Sequence, residues 1–314
     1  MRQTHCLPVS TLFLMAGCAT TFHAGAPPGA VDVIAHRGAS AYAPENTLAA
    51  FRRAIDLGAD WFELDCHLTA DQVLVVMHDG DLGRTCTGEG AIRDHTLAEI
   101  KALDAGSWFN ASFAGEPVPT LLESLELARG RIGVYVEIKS QQDDSELFDD
   151  LLALSGDQTH LSPTLRQRLV ERVSQSGSRN VAIARDVIRL LRKEKLKSEA
   201  VIQSFSPIVC FVTLTEAPEL RTEFLVSKDK ERPERWDQLL AFGRLIGVAG
   251  FNAHHEAITP ELIGSAHREG RTVAAWTVDE PVEMQRLAGW GIDAIITNKP
   301  DVALETLRAV RMHP

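Results

Sequence analysis

From Val31 onward the apolar residues change period again and again, from two to about 3.6 and back. VDVIAH is β-rich, with Gly38 just beyond it, and residues 47–57 carry apolar side chains at helical spacing with Gly58 past their end. WFELD, VLVVMHD, RIGVYVEIK, AVIQSF, TEFLVS, VAGFN, RTVAAWTV and DAIITN read as further strands. Between the later ones lie the helical stretches IARDVIRLLRKEKL, WDQLLAFGRLI, TPELIGSAHREG and PVEMQRLAGW. Strands alternating with helices predict an α/β fold with a parallel sheet, and this many predict a closed, TIM-like (β/α)8 barrel. The turn LTADQ, between WFELD and VLVVMHD, is too short for the helical crossover that parallel neighbours need, so the barrel is irregular there. Nine candidate strands compete for eight places, and the expectation is that TEFLVS or VAGFN is a loop element.

Two long stretches break the rhythm. Residues 81–120, after the third strand, are rich in Gly, Thr, Ser and Asp, with TLAEIKALDA as their one helical piece; they read as an insertion standing over one face. Residues 141–180 are polar, with amphipathic pieces around Phe148 and Leu169, and form a second excursion. Residues 1–18 look like an export signal: Arg2 gives a positive start and LFLMAG a short apolar core. The ending LMAGC resembles a bacterial lipoprotein signal, in which Cys18 would become the lipidated first residue of a periplasmic or membrane-anchored chain. Residues 19–30, including AGAPPGA, read as a flexible tether to a catalytic domain over 31–314.

The 314 residues are 45% hydrophobic, enough for one large core. A formal charge of −11 argues against a nucleic-acid groove and against an anionic membrane surface, leaving a lipid anchor as the only membrane link. It does not exclude an anionic substrate, because a cation-loaded pocket reverses the sign locally. After Cys18 only Cys66, Cys86 and Cys210 remain, which make neither a disulfide framework nor a zinc pattern. A single Cys66–Cys86 bridge and buried thiols both stay open.

The chemistry concentrates in AHRGASAYAPENT, FELDCHLTADQVLVVMHD and YVEIK. Side chains alternate along a strand, so Glu63, Asp65 and His67 share a face and Leu64 and Cys66 take the other. Glu137 adds a third acid from another strand. At about 4 Å each pair would repel by about 4 kcal/mol at an effective dielectric near 20, so the cluster needs a cation or partial protonation. All-oxygen ligation favours Mg²⁺ or Ca²⁺, and ion pairing with Arg37 and Lys139 is the plainer alternative. His36 and His78 follow β-rich runs at the carboxyl end, where barrel enzymes keep their chemistry, and two imidazoles can act as base and acid in one turnover. Arg37 offers a fork and Lys139 a point charge to phosphate oxygens, or salt bridges to the acids. His67 lines the pocket, supports it or faces solvent. Trp276 walls the pocket or fills the core, and the adjacent His254 and His255, pointing to opposite faces, are structural or at the rim. The basic stretches SRNVAIARD and RLLRKEKLK read as a solvated helix face. There is no Gly-rich phosphate loop, GxSxG elbow or Rossmann fingerprint.

Taken in order, these blocks together with IQSF, AWTVD and IITNKPD resemble the signature of the glycerophosphodiester phosphodiesterase family, from Val31 to Val302. The resemblance implies a TIM-like barrel that hydrolyses glycerophosphodiesters to glycerol 3-phosphate and an alcohol. It implies that His36 and His78 are the acid–base pair, and that Glu63, Asp65 and Glu137 hold one divalent cation, Mg²⁺ or Ca²⁺. It further implies that Arg37 and Lys139 face the phosphate, that Glu45 and Asn46 support them, and that Gln203, Phe205 and Trp276 lie on the substrate rim. The chain departs from the family pattern at Asn298, where TNKP replaces the commoner TDKP; at Asp279, where asparagine is usual; and in the length of 141–180. Two rival readings are a phospholipase D-like enzyme on lysophospholipids or sphingomyelin, and a non-catalytic envelope lipoprotein; VEIK and PENT oppose the first, and the complete set of ligands and imidazoles the second.

Overall fold

The structure, a computed structural model, describes residues 30–196 and 198–312. The leader, Cys18 and all of the tether except Ala30 lie outside the described residues. The chain runs β1 (Asp32–Ala35), α1 (Leu48–Leu57), β2 (Trp61–Leu68), β3 (Leu74–Val76), α2 (Leu97–Lys101), α3 (Leu121–Ala128), β4 (Gly133–Ile138), α4 (Ser145–Ser155), α5 (Pro163–Ser174), α6 (Arg179–Glu194) and β5 (Ala200–Ser204). It continues α7 (Pro207–Glu216), β6 (Thr222–Val226), α8 (Glu234–Ile246), β7 (Gly250–His254), α9 (Pro260–Arg268), β8 (Thr272–Trp276), α10 (Pro281–Gly289), β9 (Ala294–Thr297) and α11 (Pro300–Met312).

Eight strands are parallel and close into a barrel, β1–β2–β4–β5–β6–β7–β8–β9 and back to β1. Both TEFLVS and VAGFN are barrel strands, β6 and β7, which corrects the expectation that one was a loop. The supernumerary strand is β3, which folds back antiparallel on β2 with Cys66 opposite Val76 and Leu68 opposite Leu74. The short LTADQ turn forces this, since a tight turn can only join antiparallel neighbours.

The main core lies between the ring of strands and the helices, where Phe51 stacks on Phe62 at 4.4 Å between centroids. Inside the barrel, Ile34, Trp61, Tyr135 and Val201 fill the half toward the amino ends of the strands. Val75 of β3 and Met77, Leu82, Ile92 and Ile100 of the segment after it form a separate small core. Cys66 and Cys210 are buried free thiols, and Cys86 donates its S–H to the Leu82 carbonyl, so no Cys66–Cys86 bridge forms. Among the described residues no helix is long and apolar enough to cross a membrane.

Two local features aim the first loop at the carboxyl mouth. Thr47 caps α1 by accepting from the Ala50 N–H, and Gly58 ends it in the left-handed region. Gly38 has φ +80°, and a Cβ there would sit 2.6 Å from the Ala50 carbonyl carbon. The β1–α1 loop thus lies flat on α1, and only glycine fits that approach.

Candidate active site

The three acids come from two neighbouring strands. Parallel pairing sets Asp65 of β2 beside Glu137 of β4, and Glu63 lies one pleat below on the same face. Carboxylate oxygens of all three lie within 4.8 Å of one another, and all three residues are buried. Their partners are unequal. Asp65 Oδ2 accepts from Asn46 Nδ2 at 2.7 Å and lies 3.6 Å from Arg37 Nε, and its Oδ1 lies 3.4 Å from Lys139 Nζ. Asn46 also accepts from the Asp65 N–H at 3.1 Å, which fixes that side chain twice. Lys139 Nζ pairs with Glu137 Oε1 at 2.7 Å. Among the described residues Glu63 receives only the Arg37 backbone N–H, at 2.8 Å on Oε2, and its Oε1 is buried without a hydrogen-bond partner.

These differences divide the charge. Burial would raise Asp65, but Lys139 and Arg37 together pull it well below the usual carboxylate range. Burial, with Asp65 close by, pushes Glu63 well above its ordinary value and Glu137 up to about 7. Three converging carboxylates, one with an orphaned oxygen, are a donor set that fits a hard divalent cation such as Mg²⁺ or Ca²⁺.

The loop after β1 carries His36 and Arg37. Arg37 has φ +55° and Asn46 φ +58°, and the Asn46 N–H closes the loop on the Arg37 carbonyl at 3.0 Å. His36 Nδ1 lies 2.8 Å from Asn298 Oδ1, and burial followed by Arg37 lowers the ring's pKa to about 4. His78, beyond β3, has Nδ1 2.6 Å from Asp79 Oδ1, and its pKa is also lowered, chiefly by burial. Behind them is a brace that no motif revealed. Arg84, from the insertion, bonds Asp79 through Nε and forks onto both oxygens of Glu45 at 2.7 and 3.0 Å, while Glu45 also accepts from Arg37 Nη1 at 2.8 Å.

Both imidazoles, Arg37, Lys139, Glu63 and Glu137 line one cavity of about 110 Å³ at the carboxyl mouth, bounded by Gln203, Phe205 and Trp276. Phe205 is 38% exposed and meets Trp276 edge-on at 5.4 Å. Trp276 is half-buried and donates Nε1–H to the Asn252 carbonyl at 3.0 Å, so its place is the rim. Gln203, expected at the rim, is buried in the floor, where its Oε1 accepts from Asn252 Nδ2 at 2.8 Å. Its strand position, one pleat inside Phe205, accounts for this.

His67 supports the site instead of lining it. Its Nε2 lies 3.1 Å from the His78 carbonyl and its Nδ1 3.1 Å from Gln141 Nε2, tying two loops together. His254 and His255 do not point to opposite faces. β7 ends at His254 and a 3₁₀ turn begins at His255, so the rings come within 4.6 Å, and the His254 and Trp276 rings stand nearly perpendicular at 5.2 Å.

Fold and site together define a class, a closed (β/α)8 barrel with a carboxylate cluster and paired imidazoles at the carboxyl ends of its strands. The chain belongs to the glycerophosphoryl diester phosphodiesterase family, whose model matches residues 36–302. It is 34% identical over 279 residues to a glycerophosphodiester phosphodiesterase of Caldanaerobacter subterraneus, covering 88% of this chain and 97% of that protein. It is 31% identical over 283 residues to one of Bacillus subtilis, covering 88% and 86%. Among solved structures it is similar to an Oleispira antarctica phosphodiesterase in complex with the product sn-glycerol-3-phosphate, with TM-score 0.65, 26% identity, and 88% and 96% of the two chains covered. A glycerophosphodiester phosphodiesterase of Agrobacterium tumefaciens matches with TM-score 0.65 and 27% identity over 88% and 99%.

Proposed function

We propose that this chain hydrolyses glycerophosphodiesters to glycerol 3-phosphate and an alcohol, using His36 and His78 as its acid–base pair and one divalent cation, Mg²⁺ or Ca²⁺. The observation that carries the reading is the meeting of three buried carboxylates, two of which line a single cavity together with both imidazoles. The product named in the Oleispira structure, sn-glycerol-3-phosphate, supports the substrate class.

Glu63, Asp65 and Glu137 would hold the cation. Bound there, it supplies Lewis acidity and neutralises charge on the phosphoryl group. Arg37 Nε, buried 3.6 Å from Asp65 Oδ2 and without a hydrogen bond among the described residues, holds the guanidinium at the cluster, where its fork suits a phosphoryl oxygen. Lys139 lends a second positive charge while holding Glu137 and Asp65 in place. One imidazole takes a proton from the attacking oxygen, the glycerol 2-hydroxyl or water, and the other gives a proton to the departing alcohol; where the 2-hydroxyl attacks, water then adds to the cyclic phosphate and the P–O2 bond breaks, with the proton roles reversed, to give glycerol 3-phosphate. Phe205 and Trp276 offer apolar faces to the parts of the substrate that stand outside the cavity.

The deciding experiment is phosphorus NMR of the purified chain with mixed glycerophosphodiesters, with and without chelator. Glycerol 3-phosphate should accumulate, EDTA should stop it, and Mg²⁺ or Ca²⁺ should restore it. His36→Ala and His78→Ala should each lose orders of magnitude in turnover while staying folded. Full activity after exhaustive chelation, or near-normal rates in either variant, refutes the mechanism. Export is part of the same proposal, with lipidation of Cys18 anchoring the mature chain. Mass spectrometry showing an unmodified, uncleaved N-terminus in membrane and periplasmic fractions would refute it.

A further inference from the structure

The two positions where the chain departs from the family pattern, Asp279 and Asn298, are partners. Asn298 donates Nδ2–H to Asp279 Oδ2 at 2.6 Å and its backbone N–H to Asp279 Oδ1 at 2.8 Å. The Thr297 hydroxyl donates to the same Oδ1 at 2.9 Å. An ionised carboxylate can only accept, so the Asn298 side chain has one orientation, with its NH₂ toward Asp279 and its oxygen toward His36. Ser40 Oγ donates to that oxygen at 2.8 Å. The pieces are held from behind, since the His36 N–H bonds the Thr297 carbonyl at 2.8 Å and the Ala41 N–H bonds the Asn298 carbonyl at 3.1 Å. An amide oxygen 2.8 Å from His36 Nδ1 accepts a hydrogen bond, so in the neutral ring Nδ1 carries the proton and Nε2 the lone pair.

We propose that Asp279, acting through Asn298, is the positioning residue that sets the tautomer of His36 and leaves Nε2 as the ring's proton acceptor. The catalytic consequence rests on the reading of His36 as one of the acid–base pair; the tautomer does not. His78 is held differently, by direct contact of Nδ1 with the Asp79 carboxylate.

The arrangement makes an unusual demand on Asp279→Asn. The new amide must keep its oxygen on the Asn298 N–H and the Thr297 hydroxyl, which turns its NH₂ toward the Asn298 side chain. Asn298 must then rotate its own NH₂ toward His36, and the ring proton moves from Nδ1 to Nε2. Adding Asn298→Asp undoes this, because the new carboxylate accepts both from the amide introduced at position 279 and from His36 Nδ1. The experiment is long-range ¹H–¹⁵N NMR of the histidine rings, with glycerophosphodiester kinetics alongside, on the full chain, D279N and D279N/N298D.

Wild type should show His36 protonated at Nδ1. D279N should show it protonated at Nε2, with kcat at least tenfold lower and KM within twofold. The double variant should return both readouts toward wild type. A wild-type ring protonated at Nε2, a D279N variant that keeps Nδ1–H and full kcat, or a double variant no better than the single one overturns the proposal. The wild-type spectrum tests it even if D279N fails to fold. Absence of turnover in wild type with Nδ1–H intact would instead sink the proposed function.

Discussion

The Arg37 backbone N–H donates to Glu63 Oε2 at 2.8 Å, while Glu63 Oε1 is buried with nothing to accept from. Arg37 itself takes the left-handed region, with φ +55°, as the chain leaves β1 for the loop. Half of the carboxylate is therefore fixed by the fold, and the other half is left for a ligand.

Without cation, this cluster ties stability to pH. Glu63 and Glu137 have folded-state values above their unfolded value of about 4.3. A raised acid binds more protons folded than unfolded, so its contribution is fully present below pH ~4.3 and is lost as pH rises through the folded value, about 7 for Glu137. In EDTA the melting temperature should fall between pH 5 and pH 8, and Mg²⁺ or Ca²⁺ should flatten that slope. A melting temperature that rises over the same interval in EDTA would count against the unpaired cluster.

Glu63→Gln separates function from stability. The variant keeps an acceptor for the Arg37 N–H but removes a buried acid that no side-chain cation contacts within 4 Å among the described residues. In chelator it should melt no lower than the parent, since an amide cannot ionise and the buried acid costs stability wherever it does. Its activity should fall about a thousandfold, in line with loss of one preorganised electrostatic partner. Thermal shift with and without Mg²⁺ beside a turnover assay checks both halves; a large destabilisation in EDTA contradicts the account.

Much of this site was legible because strand periodicity is two: Glu63, Asp65 and His67 had to share a face once WFELD was a strand. The fold was legible for the same reason, through repeated switching of period. What could not be read was contact between distant segments. The pairing of Asp65 with Glu137 depends on strand register, and that of His36 with Asn298 joins the two ends of the barrel. α7 escaped because PIVCFVTLTE is buried on nearly all sides and rich in β-branched residues, leaving no helical stripe; Ser206 as cap and Pro207 in the first turn were its only signals. Arg84 sits in a stretch without periodicity, and nothing in its neighbourhood marks it as the clamp between Glu45 and Asp79.

Arg84→Ala tests that clamp. Its ion pairs are half-exposed, so their removal should change the melting temperature little. Asp79 and Glu45 would then lose the fork that holds one against His78 and the other against Arg37. Turnover should drop about tenfold, a fraction of the roughly 10²–10⁴-fold that a well-placed acid or base supplies, because His78 and Arg37 stay in the site. Arg84→Lys should recover only part of this, because an ammonium cannot span the four carboxylate oxygens of Asp79 and Glu45 as the guanidinium does. Equal activity of the alanine variant and its parent would reduce Arg84 to a surface ion pair.

Phe205 gives the converse case, a residue expected to act on binding alone. Its ring is 38% exposed, stands edge-on to Trp276 at 5.4 Å, and makes none of the polar contacts that hold the carboxylates or imidazoles. If the substrate lies against this edge, truncation removes apolar contact from ground state and transition state alike. A loss of about 1 kcal/mol of such contact is worth roughly fivefold. Phe205→Ala should therefore raise KM about fivefold, leave kcat within twofold and spare stability, because the ring contributes little to the core. Steady-state kinetics on glycerophosphocholine and glycerophosphoethanolamine decide it. A fall in kcat at unchanged KM would move Phe205 from the rim into the positioning of the reacting groups.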